Sequence, residues 1–240
     1  MNLIHAEGLT HRELNDAIRG AQGACTVEGC RGQRFIAAGM SGIELAVSGT
    51  PGNALGAYLN GGSITVLGNA QDAVGDTMNA GTIVVRGNIG DAAGYAMRGG
   101  KIYVGGNAGY RAGIHMKAYE EKIPLMVIGG RAGSFLGEYQ AGGVIVVLNL
   151  LAPQGKCVGY FPCTGMHGGK MFLRSACETV VFPKQVCPRP ASEDDLRELR
   201  SYIAEYCRLF DLDTEEVLSS PFTVVTPDSS NPYRQMYVAN

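Results

Sequence analysis

The sequence predicts an all-β chain: a right-handed parallel β-helix, a single-stranded solenoid of about seven rungs with a capping helix at each end. Three observations predict it. A unit of the form Gly-x-Ile-x-Val-x-Gly-Asn recurs every 19 residues. Glycine is over-represented, at 35 of 240 residues, in a chain that is still 45% hydrophobic and so able to fill a core. Finally, the stretches between glycines are too short for a helix of ten residues, which excludes βαβ units.

The first rung in clear register is Leu45 and Val47, followed by Gly49, Gly56 and Leu59. Nineteen residues on come Ile64, Val66, Gly68, Gly75 and Met78, then Ile83, Val85, Gly87, Gly94 and Met97, then Ile102, Val104, Gly106, Gly113 and Met116. Extra residues around Tyr119–Lys122 shift the frame, and Met126, Ile128, Gly130 and Gly137 resume it. Ile145 and Val147 continue, and Gly169-Lys-Met171-Phe-Leu173 is the last copy. An irregular rung is expected around Thr26. Each Ile-x-Val is a short alternating strand, so its two branched residues face inward and the residue between them faces outward. Thr65, Val84 and Tyr103 are the outward set.

Corners account for the glycines. A coil that turns needs positive φ or a close approach of backbones, and glycine supplies both. The corner glycines are Gly49, Gly56, Gly68, Gly75, Gly87, Gly94, Gly106, Gly113, Gly130 and Gly137. Gly68, Gly87 and Gly106 are each followed by Asn, which also tolerates the left-handed region. The series Met78, Met97, Met116 is core filler, thioethers being adaptable and apolar.

The ends need covering, because an open solenoid exposes strand edges. Residues 1–23 form the first cap, where Thr10-His-Arg-Glu13 is a capping box ahead of Leu14, Ala17, Ile18 and Ala21 on one helix face. The β-helix spans 24–182. Residues 183–240 hold a connector rich in proline (183–190), a helix that begins at Ser192, and an extended tail with Tyr233 and Tyr237. Asp213-Thr-Glu-Glu216 is expected to start one more helical turn.

A net charge of −2 offers no long-range field for nucleic acid or an anionic membrane. No run of about 18 apolar residues and no basic leader occur, so the expectation is a cytoplasmic protein without a membrane span. Seven scattered cysteines fit reduced thiols better than a disulfide framework.

Few residues are arranged for chemistry. There is no phosphate loop, no dinucleotide fingerprint and no Gly-x-Ser-x-Gly. Gly159-Tyr-Phe-Pro-Cys163-Thr-Gly-Met-His167-Gly-Gly169 interrupts the repeat, and insertions in solenoids often carry function. Cys163 and His167 are therefore the candidate nucleophile and base, or two metal ligands. A bulged coil around a packed thiol explains the same residues. His115 stands where neighbouring rungs have Thr77 and Ala96, which marks it as a surface or interface residue. Cys25 and Cys30 have the wrong spacing for a Cys-x-x-Cys pair. Asp72 and Asp91 stack, but Tyr110 breaks the series that a repeated calcium site would need.

The recurring Gly-x-Ile-x-Val-x-Gly-Asn units, with Gly-Asp-Thr-Met78, Gly-Tyr-Ala-Met97 and Gly-Ile-His-Met116, resemble the GXGXG repeats of the C-terminal β-helix domain of the glutamate synthase large subunit. The formylmethanofuran dehydrogenase C subunit is a related chain. The resemblance covers roughly residues 24–175 and is most specific from Gly49 to Gly143. It implies a non-catalytic structural subunit of a glutamate-synthase-like complex, with no cofactor on this chain. The implied partners are a glutamine amidotransferase subunit and an FMN-binding subunit that carries the flavin and an iron–sulfur cluster. A homo-oligomer is a further expectation. The alternatives are a stand-alone enzyme with its site in residues 155–169, or an architectural subunit of a formylmethanofuran-dehydrogenase-type redox complex.

Overall fold

The computed structural model describes residues 2–21 and 23–228. The backbone winds into a parallel β-helix of eight coils, one more than the seven regular rungs, because the irregular segment around Thr26 forms a full strand. The strands are β2 (Cys25–Arg31), β3 (Ile43–Thr50), β4 (Asn60–Val66), β5 (Ala80–Val85), β6 (Lys101–Val104), β7 (Leu125–Ile128), β8 (Ala141–Val147) and β9 (Gly168–Leu173). Each pairs in parallel with the next.

The register follows the repeat. Leu45, Ile64, Ile83, Ile102, Met126, Ile145 and Met171 stack as one inward row. Val47, Val66, Val85, Val104, Ile128, Val147 and Leu173 form the second inward row. Every one of these side chains is buried. Like residues at successive strands pack without leaving voids, and this is why a strict repeat fills a narrow core. After the strand, the chain turns at a Gly-Asn corner into a second, one-residue ladder: Ala70, Ile89, Ala108, Ala132 and Val158 are bridged in parallel. A tight turn then returns the chain to the next strand. The residues inserted after Met116 leave the coil as a small hairpin, closed by mutual backbone hydrogen bonds of Tyr119 and Lys122.

The N-terminal end is closed by β1 (Asn2–His5) and α1 (His11–Gly20). β1 pairs in parallel with β2, so the sheet begins inside the segment expected to be helical cap alone. Thr10 and Glu13 make the reciprocal capping box. α1 seats Leu14 and Ile18 in the main core. Its buried Asn15 replaces the missing preceding coil: Ala37 N–H donates to Asn15 Oδ1 at 2.8 Å, and Asn15 Nδ2 donates to the Phe35 carbonyl at 3.1 Å.

The C-terminal region differs from the expectation of an end-capping helix. α2 (Glu193–Leu209) lies along the outer face of the sheet, and two strands close the end. β11 (Thr223–Pro227) pairs antiparallel with β9, and β10 (Val186–Pro190) pairs antiparallel with β11. The proline-rich connector is therefore an edge strand. Pro188 and Pro190 lack an N–H, and an edge position leaves that loss harmless.

The outward row of the strands explains α2. Thr26, Ala46 and Thr65 are small or polar, whereas Val84, Tyr103, Val127, Val146 and Phe172 are large and apolar. These five are buried beneath Leu199, Ile203, Tyr206 and Cys207. Polar contacts fix the helix lengthwise: Lys170 of β9 meets Glu198, Lys101 of β6 meets Glu205, and Arg86 donates to the Leu209 carbonyl. Seventeen helical residues extend about 25 Å, enough to cross the strands from β9 back to β5. The short α3 (Thr214–Leu218), capped by Asp213, packs beside α2. Tyr233 and Tyr237 lie outside the described residues.

Candidate functional site

The tight turn of each coil carries the residues that face away from α2. Its backbone repeats a pattern of three positive-φ positions. Ala73, Gly75 and Thr77 have φ of 56°, 68° and 50°; Ala92, Gly94 and Ala96 have 55°, 66° and 49°; Arg111, Gly113 and His115 have 56°, 70° and 55°. Phe135, Gly137 and Tyr139 repeat it at 61°, 64° and 53°. Where glycine holds the middle position, it must lack a side chain for a second reason. A Cβ on Gly75 would stand 2.6 Å from Ile102 Cδ1, and one on Gly56 would stand 2.6 Å from Ile83 Cδ1. The strand isoleucine of a later coil fills the space that the glycine leaves.

The other corner works differently. Gly49 has φ 102°, but Gly68, Gly87, Gly106 and Gly130 do not have positive φ. Nor do Asn69, Asn88 and Asn107, which are not left-handed residues here. They form a hydrogen-bonded ladder instead. Asn88 N–H donates to Asn69 Oδ1 at 2.8 Å, Asn107 N–H to Asn88 Oδ1 at 2.7 Å, and Arg131 N–H to Asn107 Oδ1 at 2.8 Å. A Cβ on Gly87, Gly106 or Gly130 would collide with the asparagine oxygen of the coil below. Asp72 and Asp91 do the same service one step on, accepting from the Asp91 and Tyr110 N–H groups at 2.9 and 2.7 Å.

Cys163 falls in register with the glycines of the tight turn. It follows Gly137 in that row and has φ of 61°. Its side chain points into the core, 0% exposed, with Sγ 3.6 Å from Met171 Sδ. Burial pushes its thiol up to about 12, which disfavours the thiolate a nucleophile needs. His167 is half-buried, with Nδ1 3.0 Å from the Gly165 carbonyl. No hydrogen bond joins Cys163 to His167 among the described residues. The two candidates are thus not assembled as nucleophile and base. Among the described residues no group of three or more His, Cys, Asp or Glu side chains is placed to hold a metal ion.

What the tight turns do present is an aromatic surface, and it is concentrated in the C-terminal coils. His115 stacks on Tyr139, with ring centroids 5.1 Å apart and planes 9° from parallel, and meets Tyr95 edge-on at 5.9 Å. Phe135 and Phe161 are 5.3 Å apart, and Arg111 covers the Phe135 ring while pairing with Glu138 at 2.9 Å. Tyr110, Tyr160 and Phe161 are 54%, 71% and 59% exposed. A cleft of about 390 Å³ opens beside Tyr160, Phe161 and Val181, with Arg131 and Lys156 on its rim. Sequence reasoning singled out His115 but missed the surface around it. Spacings of 24 and 26 residues put Phe135, Tyr139 and Phe161 out of the 19-residue frame.

Among the described residues no helix is long and apolar enough to cross a membrane. The model of the GXGXG motif family matches residues 13–228. An uncharacterized protein of Methanocaldococcus jannaschii is 40% identical over 249 residues, spanning 98% of this chain and 95% of that protein. The repeated glycine corners, the parallel coils built on them and these matches together place the chain in the GXGXG motif family.

Proposed function

We propose that this chain is a non-catalytic scaffolding subunit of a glutamate-synthase-like complex, and that the aromatic face of its tight turns is where a partner docks. The observation that carries the reading is the asymmetry of the two flanks. The strand flank is covered by α2 from β5 to β9, while the tight turns expose Tyr95, Tyr110, Tyr139, Tyr160 and Phe161. Exposed aromatic clusters interleaved with arginine are the composition of protein interfaces. The backbone beneath them is held by inter-coil hydrogen bonds, so little ordering entropy opposes docking. Resemblance to the glutamate synthase repeats supplies the identity of the partners: a glutamine amidotransferase subunit and a subunit that carries FMN and an iron–sulfur cluster. Ammonia release and reduction belong to those subunits, and a rod of fixed length sets the distance between them.

Affinity purification of the tagged full chain from its native host tests this. The expected result is recovery of an amidotransferase and a flavoprotein, with loss of at least one partner in the Tyr139→Asp, Phe161→Asp variant at an unchanged melting temperature. Recovery of a molybdenum or tungsten protein instead, or glutamine hydrolysis by the purified chain alone, would overturn the reading.

A further inference from the structure

The last coil ends in a pair of thiols that the scaffold role does not use. Cys157 Sγ and Cys177 Sγ are 3.9 Å apart, the one thiol–thiol contact among the described residues. They come from opposite ends of the coil, 20 residues apart in sequence, and both flank a cleft of about 310 Å³ between the 153–157 loop and the 175–180 turn. The sulfurs must approach by less than 2 Å to reach bonding distance of about 2.05 Å, a shift within the reach of side-chain rotation. No other pair of cysteines is in thiol–thiol contact among the described residues: Cys25, Cys30, Cys163 and Cys207 are buried, and Cys187 is exposed.

The pair is also asymmetric. Cys177 lies in a turn at φ 53°, its N–H donating to Ser175 Oγ at 3.1 Å, and is 8% exposed. Cys157 is 1% exposed, and its carbonyl accepts from Ala132 N–H in the ladder. The contact between the two thiols, with Thr223 and Ser175 beside it, lowers the Cys177 thiol below its ordinary value against the opposing effect of burial, whereas Cys157 is raised by the same contact and by burial. A more accessible thiol beside the cleft, with a more deeply buried thiol 3.9 Å behind it, is the arrangement of an attacking and a resolving cysteine.

We propose that Cys157 and Cys177 form a dithiol–disulfide exchange site for small-molecule disulfides that enter this cleft. The Cys177 thiolate attacks one sulfur of the disulfide; the S–S bond breaks and the first small thiolate leaves, taking up a proton. Cys157 then loses its proton and attacks Cys177 Sγ, which breaks the mixed disulfide and releases the second small thiol. The two cysteines are oxidised by two electrons, the small disulfide is reduced to two thiols, and the protons lost by the cysteines end on them. The new bond closes the last coil covalently and ties the 153–157 loop to the 175–180 turn, directly beside the exposed Tyr160 and Phe161.

The test uses the full chain, folded, equilibrated with oxidised and reduced glutathione, then acid-quenched, alkylated and mapped by mass spectrometry. The expected result is a single disulfide joining Cys157 to Cys177, with the loss of two hydrogen masses. In Cys157→Ser, glutathione should remain trapped on Cys177. Wild-type mapping requires no variant, so a poorly folding variant does not blunt the test. The pair staying reduced in excess oxidised glutathione, or addition at Cys187 alone, would overturn the proposal. Glutathione trapped on Cys157 in Cys177→Ser would overturn the assignment of Cys177 as the attacking thiol.

Discussion

The glycines of this chain look alike in sequence and do different work. In the tight-turn row, Gly75 combines φ 68° with a strand isoleucine against its Cα. Alanine there meets both left-handed strain of roughly 1–2 kcal/mol and overpacking of about 1–3 kcal/mol. At the Gly-Asn corner, Gly68 has no positive φ, and a Cβ would stand 3.4 Å from the Gly49 carbonyl. Urea unfolding should therefore show Gly75→Ala destabilised by about 2 kcal/mol or more, with Gly68→Ala losing well under half of that. Equal losses would mean that the two corners are not distinct. Sequence reasoning cannot separate these rows, because the separating facts are the Ile102 methyl and the Asn69 oxygen, both contributed by other coils. Cys163 illustrates the same limit. Its register with Gly137 is hidden by a 26-residue spacing, and only the fold shows that it fills a turn position facing Met171.

At the scale of elements, the strands were the most legible part. Two branched residues flanked by glycine, repeated in register, dictate which side chains face in and which coils stack. The capping box at Thr10 and the helical spacing of apolar residues after Ser192 mark both longer helices, but not where α2 lies; the structure shows a capping box at Ser192 as well. Its signal was present in the outward row, where Thr26, Ala46 and Thr65 give way to Val84, Tyr103, Val127, Val146 and Phe172. A solvated outward face would have no reason to turn apolar. The connector at 183–190 was misread because prolines punctuate loops and edge strands alike.

The start of α2 also makes its attachment sensitive to pH. Asp195 is buried, ion-paired with Arg189, and accepts from both the Ser192 N–H and hydroxyl. Those contacts, Arg189 foremost, hold its carboxyl well below the usual carboxylate range against the opposing effect of burial. A depressed folded value means that the unfolded chain binds the proton first. The stabilisation is complete above the unfolded value of about 3.9 and is lost as the pH falls toward the lower folded value. Thermal melts between pH 7 and pH 3 should show the steepest loss at the acidic end for the wild type. Asp195→Asn should be less stable at pH 7 and flatter below pH 4; identical acid profiles would remove Asp195 from this role.

For the whole molecule, eight coils at about 4.8 Å per step make a rod of roughly 35 Å. Its ends are closed by α1 with β1 and by the β10–β11 pair, one flank by α2, and the remaining flank presents aromatic side chains on a fixed backbone. In the proposed spacer role, this aromatic flank is the docking face. On the proposed reading, the turn face, rather than α2 or the rod ends, meets the partner. Hydrogen–deuterium exchange on the native complex, compared with the isolated chain, tests it most directly. Exchange should slow on binding at 110–115, 135–139 and 158–161, with α2 unchanged; slowing confined to α2 or to the ends, with the turns unaltered, would rule out docking at the turn face.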